Sequence, residues 1–385
     1  MIVGAGPSLD EGLERLKAIR DKVVLFSAGT ALRPLLRHGF VPDFHCELEN
    51  VPATVDALKE AAKYGDLSQI TLIASATVDP GIPPMFRETI YFFRDSVSST
   101  MILGDKHLPI AGATPTCVNM ALSMAAFLGF TDMALFGADC GIRPGGDDHA
   151  KDTVYRDIGL FQKEGDINER YPMEVEGNFG GIAKTNWIYD SCRLMLAEVT
   201  QARRLNVFNA SDGAFIPHTV PRTPESIVPA GDAIDRAALI GALKRSLNEI
   251  TPAAIFSEVA LADVARQASR MFADLDSLLD RLGKGEPDFA AVYTAITAFL
   301  ADADDRYSHA DALISGTLTA LPRIAMFFGF RVENLDLRRE LFSLFIKEFK
   351  ATLEKMKEGS RELFERLAVL AGAASDEVSE HRRLA

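Results

Sequence analysis

The chain has 385 residues, of which 48% are hydrophobic and 25% charged, with a formal net charge of −13. That acidic balance excludes a broad cationic surface for nucleic acid, although a local cationic pocket stays open. No apolar run reaches the roughly 18 residues a membrane span needs, so neither nucleic acid nor a membrane is an expected partner.

Taken in chain order, Met1-Ile2-Val3 reads as a short buried strand, followed by a glycine turn at Gly4 and Gly6. Pro7 suits the first turn of a helix. Ser8 followed by Glu11 has capping-box spacing, and Leu9, Leu13 and Leu16 recur at helical intervals. Strand, glycine turn and helix start together make an anion site at Gly4, Gly6, Pro7 and Ser8; an ordinary tight strand–helix connection explains them equally well. Leu9 stands where a dinucleotide fingerprint has its third glycine, and no lysine–serine pair of a P-loop follows.

Further strands are expected at Val23–Gly29, Phe44–Asn50, Ile70–Thr77, Thr89–Asp95, Met133–Asp139 and Leu205–Ser211. Helices are expected from near Thr30, over Ala53–Ala62, over Pro115–Leu128 and over Asn186–Arg203. A long irregular stretch, Cys140–Lys184, interrupts the alternation. Such alternation predicts an α/β fold, a Rossmann-like, mostly parallel sheet with helices on both faces. After the proline-rich Ile216–Asp232 the spacing turns helical almost throughout. Two domains are therefore expected, an α/β domain over 1–231 and an all-α C-terminal domain over 232–385, with a frayed polar end. Cys46, Cys117, Cys140 and Cys192 show no paired metal spacing and suit a reducing compartment. With no leader pattern at the start, a cytoplasmic protein is expected.

In such a fold ligands bind outside the carboxyl ends of the strands, where the polar residues bunch. Gly29 and Thr30 lie there, as do Asp139, Asn209, Ser211 and Asp212. Glu47 and Glu49, two apart on one strand, share a face and can bind a divalent ion, hold sugar hydroxyls or act as a base, with Asn50 beside them. His45 joins that face if the pleat is regular. Gly112, Thr114 and Thr116 precede a helix and form a second anion cradle. A loop as long as 140–184 suggests a lid or binding segment. It carries His149 in an acidic run and Tyr155, a donor for a departing phosphate. It also carries Asn178, Gly180 and Gly181, with Lys184 and Asn186 just before a helix, a set suited to phosphate or carboxylate. Trp187, the only tryptophan, can stack on a base or fill the core.

Several of these stretches, in this order, resemble the central domain of motility accessory factors, the Maf flagellin glycosyltransferases. They are GAGPSLD, PDFHCELENVP, FGAD, GNFGG with TNW, and NASDGA. The resemblance covers roughly residues 1–230 and extends to the wider MptE-like group, and in fold to small bacterial sialyltransferases. It implies transfer of a nonulosonic acid, of pseudaminic or legionaminic type, from its CMP donor to Ser or Thr of flagellin, in support of flagellum assembly and motility. It also implies that Gly4, Gly6, Pro7, Ser8, Gly112, Thr114 and Thr116 contact nucleotide and donor. No cofactor is required on this reading, although Glu47 and Glu49 leave a divalent metal open.

Two departures qualify the resemblance. The sialyltransferase base is a histidine just before the helix that follows the long loop, and here that place reads GGIAKTN. His149 or Asp139, then Glu47 and Asp212, are the substitutes. Family members also carry a domain before the glycine motif, so a missing N-terminal domain and fraying at Met1–Val3 are expected. The alternatives are an Mg²⁺-dependent pterin-type pyrophosphokinase and a non-catalytic flagellin-binding adaptor.

Overall fold

The computed structural model describes residues 1–95, 97–103, 109–158, 166–247, 255, 259–286, 288–307 and 309–384. His107 and residues 159–165 of the long loop lie outside the described residues. The chain forms two compact units, one of residues 1–95 and 108–248, the other of residues 96–107 and 249–385. The division falls later than 231/232 because Ile234, Leu239, Ile240 and Leu243 pack against the core of the sheet.

The first unit is built on a sheet of nine strands, every pairing parallel. In chain order these are β1 (Ile2–Val3), β2 (Phe26–Ala28), β3 (Phe44–Glu47), β4 (Thr71–Ser75), β5 (Glu88–Arg94), β6 (Pro109–Ile110), β7 (Asp132–Phe136), β10 (Asn206–Asn209) and β11 (Val220–Pro221). Their spatial order is β11-β10-β7-β1-β2-β3-β4-β5-β6. The strand series therefore runs outward from β1 to β6 and then returns to β7 on the other side of β1. Ile2 sits between Phe26 and Leu135, and Val3 between Ser27 and Phe136. Both residues are fully buried, so the expected fraying at Met1–Val3 does not occur.

Side-chain alternation along the strands divides the core between two faces. Val3, Leu25 and Phe136 pack against α1 (Leu9–Ile19), which buries Leu9, Leu13, Leu16 and Ile19. On the same side α2 (Leu32–Arg37) and α3 (Pro52–Ala62) meet Leu72 and Ala74 of β4. Ile2, Phe26, Phe44 and Leu135 face the other way, against Met120 and Leu122 in the helix Cys117–Phe127 and Cys192 and Leu196 in the helix Trp187–Ala202. Each such buried Leu or Phe contributes about 1.5–3 kcal/mol relative to exposure.

The stretch expected to be irregular carries α6 (Val154–Asp157), α7 (Ile167–Arg170) and an antiparallel hairpin, β8 (Met173–Glu176) and β9 (Ile182–Thr185). The helix Ser98–Leu103, here α4, belongs to the second unit. Cys117–Phe127 is α5, Trp187–Ala202 is α8, and Arg236–Ser246 is α9.

The described part of the second unit is helical, as its spacing predicts. Helix α10 (Leu261–Gly283) buries Val264, Ala268, Met271, Phe272, Leu275 and Leu279, one stripe of a 3.6-residue period. That stripe shares a core with Phe289, Val292 and Ile296 of α11 (Phe289–Ala301) and Tyr307 of α12 (Ala303–Tyr307). Leu318 of α13 (Ser315–Gly329) and Phe342, Phe349 and Leu353 of α14 (Leu335–Leu384) complete it. Asp288 caps α11 by accepting from the Ala290 and Ala291 N–H groups. The polar end expected to fray is the last part of α14, which runs to Leu384. Among the described residues no helix is long and apolar enough to cross a membrane.

Candidate functional site

A cavity of about 490 Å³ opens at the carboxyl ends of the strands. Its walls come from the turns after β1 (Ala5, Gly6), β2 (Gly29, Thr30), β3 (Glu47, Glu49) and β7 (Gly137, Asp139). The chain reverses its direction of travel across the sheet between β1 and β7, and such a switch point is where parallel α/β sheets hold ligands. Residues of the long loop, His149 and Tyr155, add a further wall.

Asp139 follows β7 and is 4% exposed. Its Oδ2 accepts from Ser8 Oγ at 2.9 Å, while Oδ1 is buried with no partner. Burial pushes its carboxyl up to about 7, against the lowering effect of the Ser8 bonds. Gly6 makes this approach possible, because a Cβ there would stand 1.9 Å from Asp139 Oδ2. Gly6 N–H donates to Gly137 O and Gly4 N–H to Phe136 O, both at 2.8 Å.

The glycine motif is therefore a brace for the β7 turn and its aspartate. The anion cradle expected at Gly4, Gly6, Pro7 and Ser8 has two of its N–H groups already used within the protein. Ser8 makes no side-chain cap, so the capping box expected with Glu11 is replaced by the bond to Asp139.

Glu47 ends β3 and is 2% exposed. Its Oε1 accepts from Leu48 N–H at 2.8 Å and Glu49 N–H at 3.1 Å. Desolvation outweighs those bonds and pushes its carboxyl up to about 7. His45 does share its face, with Nε2 3.8 Å from Glu47 Oε2. Burial drives the His45 imidazole down to about 3, so it is a neutral ring there, joined to Ser27 Oγ at 2.8 Å. Glu49 lies beyond the end of the strand and reaches the cavity from the turn, whereas the exposed Asn50 does not line it. Among the described residues no group of three or more His, Cys, Asp and Glu side chains forms a metal cluster.

His149 is buried, and its ring stacks on Tyr155 with centroids 3.9 Å apart. Asp148 Oδ1 lies 3.1 Å from His149 Nδ1, and Asp148 Oδ2 accepts from Arg170 Nη1 at 2.8 Å. These neighbours hold the Asp148 carboxyl well below the usual carboxylate range. Burial raises the Tyr155 phenol to about 12, partly offset by its hydrogen bond with Thr30. Across the cavity, Thr116 precedes α5, and its N–H bonds Asn119 Oδ1 at 3.2 Å. Cys117 and Val118 open α5 and line the cavity, placing the positive end of the helix there. Asn186 caps α8 by accepting from Ile188 and Tyr189 N–H, and lines the cavity too.

Other expected site residues lie elsewhere. Gly180 and Gly181, with φ of 83° and 68°, turn the β8–β9 hairpin, a conformation glycine adopts without strain. Asn178 pins that hairpin to the sheet, donating to Asn209 O at 3.1 Å and Ser211 O at 2.9 Å. Ser211 Oγ accepts from Ala138 N–H at 2.8 Å, and Asn209 Oδ1 from Ser211 N–H at 3.0 Å. Asp212 pairs with Arg143, whose Nε is 2.9 Å away, and Lys184 Nζ donates to Asn168 at 2.8 Å.

None of these seven lines the cavity. The expected phosphate loop is a hairpin with its supporting bonds. Gly112 packs under Val199, Thr114 stands outside the lining, and Trp187 is 74% exposed on the first turn of α8. Sequence reasoning missed Asp148, Arg33, Tyr171, Tyr189 and the three lining cysteines Cys117, Cys140 and Cys192. Only Asp148 carried a local signal, its place beside His149 in DDHA.

Comparison with known proteins shows what the fold is similar to. Residues 1–145 match the family model described as 6-hydroxymethylpterin diphosphokinase MptE-like. A protein of Treponema pallidum (strain Nichols) described as uncharacterized is 37% identical over 49 residues, 13% of this chain and 23% of that protein. The solved structure of a Maf glycosyltransferase from Magnetospirillum magneticum AMB-1 matches with a TM-score of 0.69 and 26% identity. That match covers 98% of this chain and 58% of the other, so the present chain spans little more than half of that protein. The nine-stranded parallel sheet with its helical unit thus resembles the fold of that Maf glycosyltransferase over nearly the whole chain, and residues 1–145 are similar to the MptE-like family.

Proposed function

We propose that this protein is a glycosyltransferase that moves a nonulosonic acid from a CMP donor to Ser or Thr of flagellin. The observation that carries the reading is one cavity that joins a helix N-terminus to a histidine and a tyrosine, in a chain similar to a Maf glycosyltransferase over 98% of its length. As CMP departs, the sugar approaches an oxocarbenium state, and negative charge collects on the leaving phosphate. The N-terminus of α5, with the Thr30 and Tyr155 hydroxyls, receives that charge. His149 takes the proton of the acceptor hydroxyl.

An anionic donor must also tolerate Glu47, Glu49, Asp139 and Asp148 in the lining. Asp148 is paired with Arg170, and burial raises the carboxyls of Glu47 and Asp139, which lessens their charge at neutral pH. That leaves Glu49 as the main opposing charge. No resident cofactor is called for, and the reaction is placed in the cytoplasm, where flagellin is synthesised. Incubation with flagellin and a CMP-nonulosonate should add the mass of one sugar to flagellin. No mass change, with both substrates intact and the protein folded, would refute the reading.

A second reading rests on Glu47 and Glu49 together at the cavity and on the description of the matching family. Two carboxylates that share Mg²⁺ with substrate phosphates suit a pterin-type pyrophosphokinase. ATP-dependent diphosphorylation of 6-hydroxymethylpterin, measured directly, separates it from the first.

A further inference from the structure

His149 can act as a base only through a ring nitrogen that carries no proton, and its surroundings treat its two nitrogens differently. Nδ1 is buried and lies 3.1 Å from Asp148 Oδ1. Nδ1 makes no hydrogen bond in this structure, so the contact is one of ion-pair distance, of the kind that tightens in catalytic sites when substrate binds. The other oxygen of Asp148 is held by Arg170 Nη1 at 2.8 Å, which fixes the carboxylate in place. The ring itself is fixed by its stack on Tyr155, 3.9 Å between centroids and 20° between planes. Arg156 Nη1 donates to the His149 carbonyl at 3.4 Å and ties down its backbone.

We propose that Asp148 is the positioning residue for His149: it holds the proton on Nδ1, so that Nε2 is the acceptor offered to the cavity. The inference rests on the reading of His149 as the base. The proton moves from the acceptor hydroxyl to Nε2 as the new C–O bond forms and the bond to the departing phosphate breaks. The resulting imidazolium is stabilised by the Asp148 carboxylate, which itself stays ionised. The arrangement also explains why an acidic run surrounds a histidine in a cavity that must admit an anion. The charge of Asp148 is directed at the ring and at Arg170 rather than at the ligand.

The charged and titratable groups that face this site are Asp148, Tyr155, Arg156 and Arg170 beside it, with Arg33, Tyr171, Tyr189, Cys117, Cys140 and Cys192 in the same lining. Asp139, Glu47 and Glu49 face it from the opposite walls. All bear on the pH readout below, and Asp148 is the carboxylate at ion-pair distance from Nδ1.

The test has two independent arms. In ¹⁵N-histidine spectra of the full chain, assigned with the H149Q variant, neutral His149 should carry its proton on Nδ1, and in D148N that preference should disappear. A wild-type ring protonated on Nε2 overturns the proposal whether or not any sugar is transferred, and so separates its failure from that of the functional reading. In the transfer assay, D148N should lower kcat about 10²-fold or more with KM nearly unchanged, with the acid limb of the pH profile displaced to lower pH. D148E should recover part of the rate. The R170A variant, which frees the carboxylate without removing it, should lose far less. If R170A matches D148N in rate and pH profile, Asp148 acts only as a structural ion pair, and the proposal fails.

Discussion

Replacing Asp139 by Asn tests the electrostatics of the cavity without reference to any substrate. The carboxyl is buried, with one oxygen bonded to Ser8 and the other without a partner, and it titrates near 7 instead of 3.8. A folded-state value above the unfolded one means that the folded protein holds this proton more tightly. Stability therefore falls as pH rises from about 4 to about 7 and levels off beyond it. The shift of about three units corresponds to about 4 kcal/mol of penalty, fully present above pH 7. Asn has the same shape and can still accept from Ser8, but it does not ionise. The stability of D139N relative to wild type should thus increase by about 4 kcal/mol between pH 4 and pH 8, whatever constant offset the substitution carries. Urea unfolding at a series of pH values measures it. The only tryptophan, Trp187, belongs to the first unit, so its emission reports the surroundings of that unit. A difference that stays flat with pH, or that shrinks as pH rises, would refute the reasoning.

E47Q should behave in the same direction over the same range, with a gain of about 3 kcal/mol from a carboxyl raised from 4.5 to about 7. Its check is the same denaturation series. Gly6→Ala places a Cβ 1.9 Å from Asp139 Oδ2 and must displace the β7 turn. A loss of about 1–3 kcal/mol is expected by calorimetry, together with weaker ligand binding at the cavity. Leu275→Ala removes a fully buried side chain from α10 and should cost about 2–5 kcal/mol in the second unit. Thermal unfolding should then show that unit's transition moved while the Trp187 signal keeps its midpoint.

Much of the sheet could be read because its determinants are local. Buried parallel strands show as short apolar runs, and Ile2–Val3, Phe44–Glu47 and Thr71–Ser75 each lie inside an expected strand. The carboxyl edge followed from that alternation, and Thr30, Glu47 and Asp139 expected there line one cavity, as do Thr116 before α5 and His149 and Tyr155 of the long loop. What failed depended on distant partners. Ser8 has a local capping signature, but its hydroxyl goes to Asp139, 131 residues away. Asp212 looks like an available carboxylate until Arg143, 69 residues earlier, is seen to neutralise it. The glycines of GNFGG permit a hairpin turn and a phosphate loop equally well, and only the pairing of β8 with β9 decides between them. Asp148 was adjacent to His149 in plain view, but its significance depended on Arg170 holding its second oxygen.

The position of β1 bears on how the chain is made. Its two residues have one hydrogen-bonded neighbour at Phe26–Ser27 and the other only at Leu135–Phe136. During synthesis one side of the sheet, β1 to β6, can assemble from near neighbours. The opposite edge of β1 then waits for more than a hundred further residues before β7 can cover it. Pairings over such separations form late, and an uncovered strand edge is the place where foreign strands attach. Nascent chains that stop short of Asp132 should therefore be the species that chaperones hold and that aggregate when chaperones are scarce. Chains that have passed Asn209 have β7 to cover that edge and β10 to cover β7 in turn.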